Sequence, residues 1–158
     1  MTRSYGRSRK GQRVVDHAPQ GHWNTSTLVA AITCESAIAP MLLEGPMDTA
    51  AFEAYVQQVL IPALPEGSIV VMDNLSSHKP PCIARHLQTA GAQLCYLPPY
   101  SPDFNPIEQM WSKVKGVLKR EKARDMEQLC TAIAMALSSV TSDDTQGFFR
   151  HSVVGIIN

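Results

Sequence analysis

The chain has 158 residues, of which 44% are hydrophobic and 18% charged, the balance of one ordinary globular domain with enough apolar surface for a real core. Lys and Arg number 14 and so do Asp and Glu, which excludes a uniformly basic nucleic-acid binder and leaves the placement of charge as the informative quantity. No apolar run approaches membrane-spanning length, and the Arg- and Gly-rich start has no apolar signal core. The four cysteines, Cys34, Cys82, Cys95 and Cys130, are dispersed without a C-x-x-C pair. That pattern excludes a disulfide framework or a zinc site and reads as buried or incidental thiols in a reducing cytoplasm.

Residues 1–12 form a basic arm or hairpin entry. Arg3, Arg7, Arg9, Lys10 and Arg13 occur there with no acid among them, a pattern suited to a polyanion or to a solvated surface. A short strand is predicted over 13–15 and a second over 23–33, rich in Thr, Val and Ile, pairing antiparallel to the first across Pro19-Gln20-Gly21. A brief third strand follows over 40–43. Asp48 then caps a helix over 50–60, carrying Phe52, Val56, Val59 and Leu60 at helical spacing and ended by 62–67.

The run Ile69-Val70-Val71-Met72 reads as a buried strand that delivers Asp73 at its carboxyl end. Pro80-Pro81 opens a helix with Ile83, Ala84, Leu87 and Ala90 on one face and Gly91 at its end, and a strand over 93–97 follows. Asn105 as N-cap and Pro106 in the first turn start a helix over 106–122, so Glu108 sits in its first turn. That helix carries Ile107, Met110, Trp111, Val114 and Leu118 at amphipathic spacing, and a last helix spans 126–140. The segment 141–158 is a tail. Strands first and then alternating helix and strand make this an α/β domain with a mixed sheet, one core over 13–140.

Asp73 and Glu108 both sit at element ends, where backbone stops and side chains converge on ligands. Two carboxylates so placed suit Mg²⁺, a hard ion that prefers carboxylate oxygen and water. Phosphoryl transfer on nucleic acid commonly clamps two such ions about 3.5–4 Å apart. Taken alone the pair is a weak signal, since strand-end Asp recurs in many doubly wound folds. An α/β hydrolase or receiver-like domain using Asp73 alone is the rival on these grounds, and the placement of Glu108 disfavours it. A second basic cluster, Lys113, Lys115, Lys119, Arg120, Lys122 and Arg124, follows Glu108, where Lys113 and Lys115 meet DNA phosphates or form a solvated helix face.

The block V-M-D-N-L-S-S-H-K, followed by L-P-P-Y-S-P-D-F-N-P-I-E-Q-M-W-S-K-V-K, resembles the catalytic core of bacterial insertion-sequence transposases of the mariner-like DDE superfamily. Residues 74–107, 34 in all, separate the two acids, the spacing that names this group. The arm M-T-R-S-Y-G-R-S-R-K-G-Q-R and the segment G-H-W-N-T-S-T are similar as well, so the resemblance covers nearly the whole chain.

The resemblance implies a ribonuclease H-like mixed sheet flanked by helices, two Mg²⁺ or Mn²⁺ ions in the complete enzyme, and cleavage and joining of DNA strands at transposon ends. It makes Asp73 and Glu108 the second and third acids of a triad. Asn74 and His78 then either orient metal-bound water and the scissile phosphate, or cap the turn and bond backbone. Asn105 aims Glu108 by setting the helix start, and Trp111 packs in the core. The partners implied are DNA and a second copy or an intact transposase, in the cytoplasm and away from membranes.

One departure qualifies these expectations. In the family the first Asp ends a first, central strand, which lies upstream of the segment with which this chain begins. Asp16 is the only acid before Glu35 and falls where the family has an apolar or small residue. A ribonuclease H-like domain lacking that strand and acid is expected to hold two metals poorly, to be inactive alone, and to carry an edge prone to mispairing. The alternative is a non-catalytic remnant that binds DNA or pairs with an intact subunit.

Overall fold

A computed structural model of the chain describes residues 7–13, 15, 25–73, 75, 78, 80–99 and 101–154. Four strands and six α-helices occur among them: β1 Ser26–Ile32, β2 Ala37–Glu44, α1 Thr49–Tyr55, α2 Ile61–Ala63, β3 Ile69–Met72, α3 Pro81–Thr89, β4 Gln93–Tyr96, α4 Pro106–Glu121, α5 Met126–Ser138 and α6 Ser142–Val154. The α/β class is as the sequence predicts. The sheet is not one continuous layer among the described residues: β1 pairs antiparallel with β2, β3 pairs parallel with β4, and no described strand joins the two pairs.

The hairpin β1–β2 replaces the predicted pairing of the segments 13–15 and 23–33. Arg13 and Val15 are not in a strand. The partner of β1 is instead β2, which runs the full eight residues rather than the predicted four. Two consecutive stretches of apolar character joined by a tight Thr33–Ser36 turn outcompete a partner on the far side of Pro19. One extra residue on β2 opposite Ala30 shifts the register, with Val29 opposite Met41 but Ala31 opposite Ile38. Ala39 takes the left-handed φ of 51° at this bulge, and Pro40 beside it has no N–H to leave unpaired.

Asp48 caps α1 as predicted, its Oδ1 accepting from Ala51 N at 2.7 Å. The rod does not stop at Leu60. It widens into a π-helical turn over Val56–Leu60 and continues as α2, with Pro62 inside it. Pro62 donates no hydrogen bond and its ring crowds the preceding turn, and a π-register turn is the local adjustment that admits it. In α3, Gly91 supplies the left-handed residue after the C-cap (φ 78°), while Ala84 and Ala90 are exposed rather than on the buried face.

Two apolar cores form on opposite faces of the hairpin. The first gathers Ala39, Phe52, Tyr55, Val56, Leu60, Met72, Ile83 and Leu87, with Val29 and Ala31 packed against it. The second gathers Ala30, Met110, Val114, Val117, Ala136 and Val140, with Leu28, Ile32, Trp111 and Phe148 packed against it. Alternate residues of β1 thus feed alternate cores, the period-2 pattern of a strand buried on both faces. The pair β3–β4 is covered on one face only. Val70, Met72 and Leu94 face the first core, while Ile69 (63% exposed) and Val71 (54%) face outward. The expectation of a fully buried β3 is therefore corrected, because the main packing of α4 is against β1, α5 and α6.

Residues 142–154, which the sequence predicts as part of a tail, form the helix α6. Its start carries a reciprocal cap: Thr141 N donates to Asp144 Oδ2 at 2.8 Å and Asp144 N donates to Thr141 Oγ1 at 3.3 Å. The signal T-S-D-D was present in the sequence. Cys34, Cys95 and Cys130 are exposed free thiols and Cys82 is a half-buried one, so of the two readings, buried or incidental, the exposed three fit the second.

Candidate active site

Asp73 follows directly on β3 and is held by its own loop. Its Oδ1 accepts from Leu75 N at 3.2 Å, a local turn that fixes the carboxylate at the strand end. The same oxygen lies 2.6 Å from Nδ1 of His78, an approach off the N–H axis that makes a close polar contact rather than an aligned hydrogen bond. His78 is itself fixed from two other sides. Its ring stacks on Phe52 with centroids 4.2 Å apart and planes at 28°, and its carbonyl accepts from the Tyr96 hydroxyl at 2.7 Å. The imidazole therefore ties Asp73 to the first core, and neither of the two roles weighed from sequence included this one. Asp73 keeps 40% of its side chain exposed, and among the described residues nothing bonds its second oxygen.

Glu108 stands in the first turn of α4, exposed. Asn105 caps that helix through a long 3.4 Å bond from Ile107 N to its Oδ1, and Pro106 occupies the first helical position. Asn105 is thus the N-cap of α4 that the sequence predicts. Glu108 lines a shallow cleft of about 240 Å³ together with Asp103, Asn105, Gln109, Ser112 and His151. Asp73 does not line this cleft, and among the described residues no three acidic, histidine or cysteine side chains gather closely enough to hold a metal. The chemistry of the donors fits a hard divalent ion, since both carboxylates offer exposed oxygen, but their number falls short of a two-ion clamp.

The basic residues separate into two kinds. Arg7, Arg9, Lys10, Arg13 and Lys115 are exposed, with Arg9 and Lys10 on a turn closed by Gln12 N donating to Arg9 O at 3.0 Å. Lys113 is different: its ammonium pairs with Asp144 Oδ2 and anchors α6 to α4. Trp111 packs half-buried against the second core, and Phe104 is half-buried. Arg3, Asn74, Tyr100, Asp16 and Ser76 lie outside the described residues, as do His17 and His22. No described helix is long and apolar enough to cross a membrane.

Comparison with known proteins adds sequence and structural likeness to this geometry. Over 124 residues the chain is 25% identical to the Tcb1 transposable-element transposase of Caenorhabditis briggsae, a match that takes in 75% of this chain and 45% of that protein. Its fold superposes on the Mos1 strand transfer complex with a TM-score of 0.77 at 17% identity, covering 95% of this chain and 46% of that one. The Mos1 transposase catalytic domain solved with raltegravir and Mg gives 0.69 at 14% identity, covering 82% and 76%, and its counterpart with Mn gives the same TM-score. The architecture is thus the ribonuclease H-like one that the resemblance implied, and the chain spans about half the length of the curated relative it matches. Residues 1–130 match the DDE superfamily endonuclease family across both acids and the loop between them, and the chain belongs to that family.

Proposed function

We propose that this chain is the catalytic domain of a mariner-type transposase of a bacterial insertion sequence, contributing Asp73 and Glu108 to a divalent-metal site that cleaves and transfers DNA strands at transposon ends. The observation that carries the reading is the placement of these two acids at a strand end and a capped helix start within a chain of this family. Mg²⁺ or Mn²⁺ would supply activation of the attacking water and neutralisation of the leaving oxygen. Asp73, braced by His78, and Glu108, aimed by Asn105, are the residues that would hold them, two ions being expected in the complete enzyme. Exposed Arg7, Arg9, Lys10, Arg13 and Lys115 would meet DNA phosphates, with Arg3 and Asn74 proposed alongside them from sequence. Lys113 reaches DNA only by giving up Asp144.

Because the described residues gather no third acid, the chain alone is proposed to be inactive, acting in the cytoplasm as part of a homodimer or of an assembly with an intact transposase. The same observation favours one second reading, a non-catalytic module that binds DNA or pairs with an active subunit. Mn²⁺ binding to the purified chain, followed by relaxation enhancement of water protons, tests the site. Asp73→Asn and Glu108→Gln should each weaken it several-fold, and retention of full affinity in both variants would remove the acid-pair reading. Nicking of supercoiled plasmid by the chain with Mn²⁺ would overturn the inactivity proposal.

A further inference from the structure

The cleft that holds Glu108 is closed on one side by a residue from the far end of the chain. His151 stands in the last turn of α6 and lines the cleft with Asp103, Asn105, Glu108, Gln109 and Ser112. Its place there is fixed by three independent attachments of α6. Asp144 pairs with Lys113 on α4, the buried Thr145 hydroxyl donates to the Cys34 carbonyl at 2.7 Å, and Phe148 packs against the second core. Phe148 and His151 are three residues apart and so neighbour each other along the helix surface.

The composition of the cleft says what it is short of. Asp103 and Glu108 bring two carboxylates, whereas Asn105 spends its oxygen on the α4 cap. A phosphodiester entering beside two carboxylates is repelled unless hydrogen-bond donors or cations face it. Ser112, one helical turn from Glu108, and Gln109 bring neutral donors. His151 is the one lining side chain that can carry positive charge, and it is exposed and makes no ion pair among the described residues.

We infer that His151 is a substrate-contacting residue, donating a hydrogen bond from its imidazole to a non-bridging oxygen of the DNA phosphodiester that enters the Glu108 cleft. This inference rests on the reading of Glu108 as an active-site acid. On it, α6 is the element that completes the nucleic-acid face of the site, and its ties to Lys113 and Cys34 set the position of the donor.

The test uses the full chain with labelled histidine, the His151 ring signal being identified by its loss in His151→Gln. A 12-base-pair duplex is titrated in the presence of Mg²⁺, and duplex affinity is read separately by fluorescence anisotropy. A saturable shift of the His151 ring is expected, with binding weakened roughly two- to tenfold in His151→Ala and near wild type in His151→Gln, which keeps a donor. Duplex binding that leaves the ring unshifted and the His151→Ala affinity unchanged would overturn the inference. Mn²⁺ broadening of the same signal separates this from the underlying reading. Broadening that vanishes in Glu108→Gln keeps Glu108 as a metal ligand even when the DNA contact fails. A DNA-induced shift without any broadening keeps the DNA contact and removes the metal, and absence of duplex binding overturns the DNA contact.

Discussion

The Asp73 carboxylate approaches Nδ1 on the edge of the His78 imidazole to 2.6 Å, and the face of that imidazole is stacked on Phe52. A strand-end acid is thereby coupled to the core through one aromatic stack, so a change in packing should be felt at the candidate site. Phe52→Leu is expected to cost about 1 kcal/mol, the usual size of a partial truncation at a buried position, read from urea unfolding. The His78 Cε1 proton, which the Phe52 ring current displaces, should move back toward the position of free histidine. An unmoved proton in this variant would show that the rings are not stacked in solution.

The cap of α6 predicts an acid limb of stability. The Lys113 ammonium, with help from Thr141 backbone and hydroxyl, holds the Asp144 carboxyl down at about 2, below its ordinary 3.8. The hydrogen bond from His86 at 2.8 Å likewise lowers Glu53 from 4.5, against an opposing effect of burial. A depressed folded pKa means stability that is present above the ordinary value and lost as pH falls through the lowered one. Melting temperature should therefore fall between pH of about 4 and 2, and Asp144→Asn should flatten part of that fall. Thr141→Ala should cost about 1 kcal/mol at neutral pH by removing the reciprocal cap.

Lys113 and Lys115 are two residues apart and are predicted to behave oppositely. Lys115→Ala should leave the melting temperature alone and reduce the slope of log affinity for duplex DNA against log salt by about one phosphate contact. Lys113→Ala should lower the melting temperature, since it strips α6 of its partner at Asp144, and should leave the slope nearly unchanged. Equal slopes for wild type and Lys115→Ala would take Lys115 out of the interface.

The outward face of β3 presents Ile69 and Val71 with nothing over them among the described residues. Apolar side chains exposed on a strand with an open edge favour association between chains. Val71→Lys should lower light scattering at high protein concentration while changing stability by less than about 0.5 kcal/mol. A matching loss of stability would mean that Val71 is buried in solution.

What the sequence disclosed and what it concealed divide along physical lines. Asp48, Asn105 and Gly91 announced their helix ends because caps are local chemistry, read from a few adjacent residues. The placement of Asp73 and Glu108 at element ends was legible for the same reason, each at a junction between a strongly patterned element and a turn. The pairing of β1 with β2, the passage of the first rod through Pro62 and the open face of β3 are tertiary outcomes. They depend on which surfaces compete for burial, and periodicity is silent about that. The helix α6 was missed although Thr141 and Asp144 spelled its cap, because its apolar face is confined to a few residues such as Phe148. With it went His151, which no local spacing links to Glu108.

The hairpin β1–β2 has a consequence for how the molecule comes apart. Its alternate side chains are the shared wall of both cores, Val29 and Ala31 on one side and Leu28, Ala30 and Ile32 on the other. Neither core can open without exposing a face of this hairpin, so the two halves of the chain, each with one candidate acid, are joined into a single cooperative unit. Amide protons of β1 should therefore exchange only through global unfolding, whereas those of β3, walled on one face, open by smaller excursions that carry Asp73 with them.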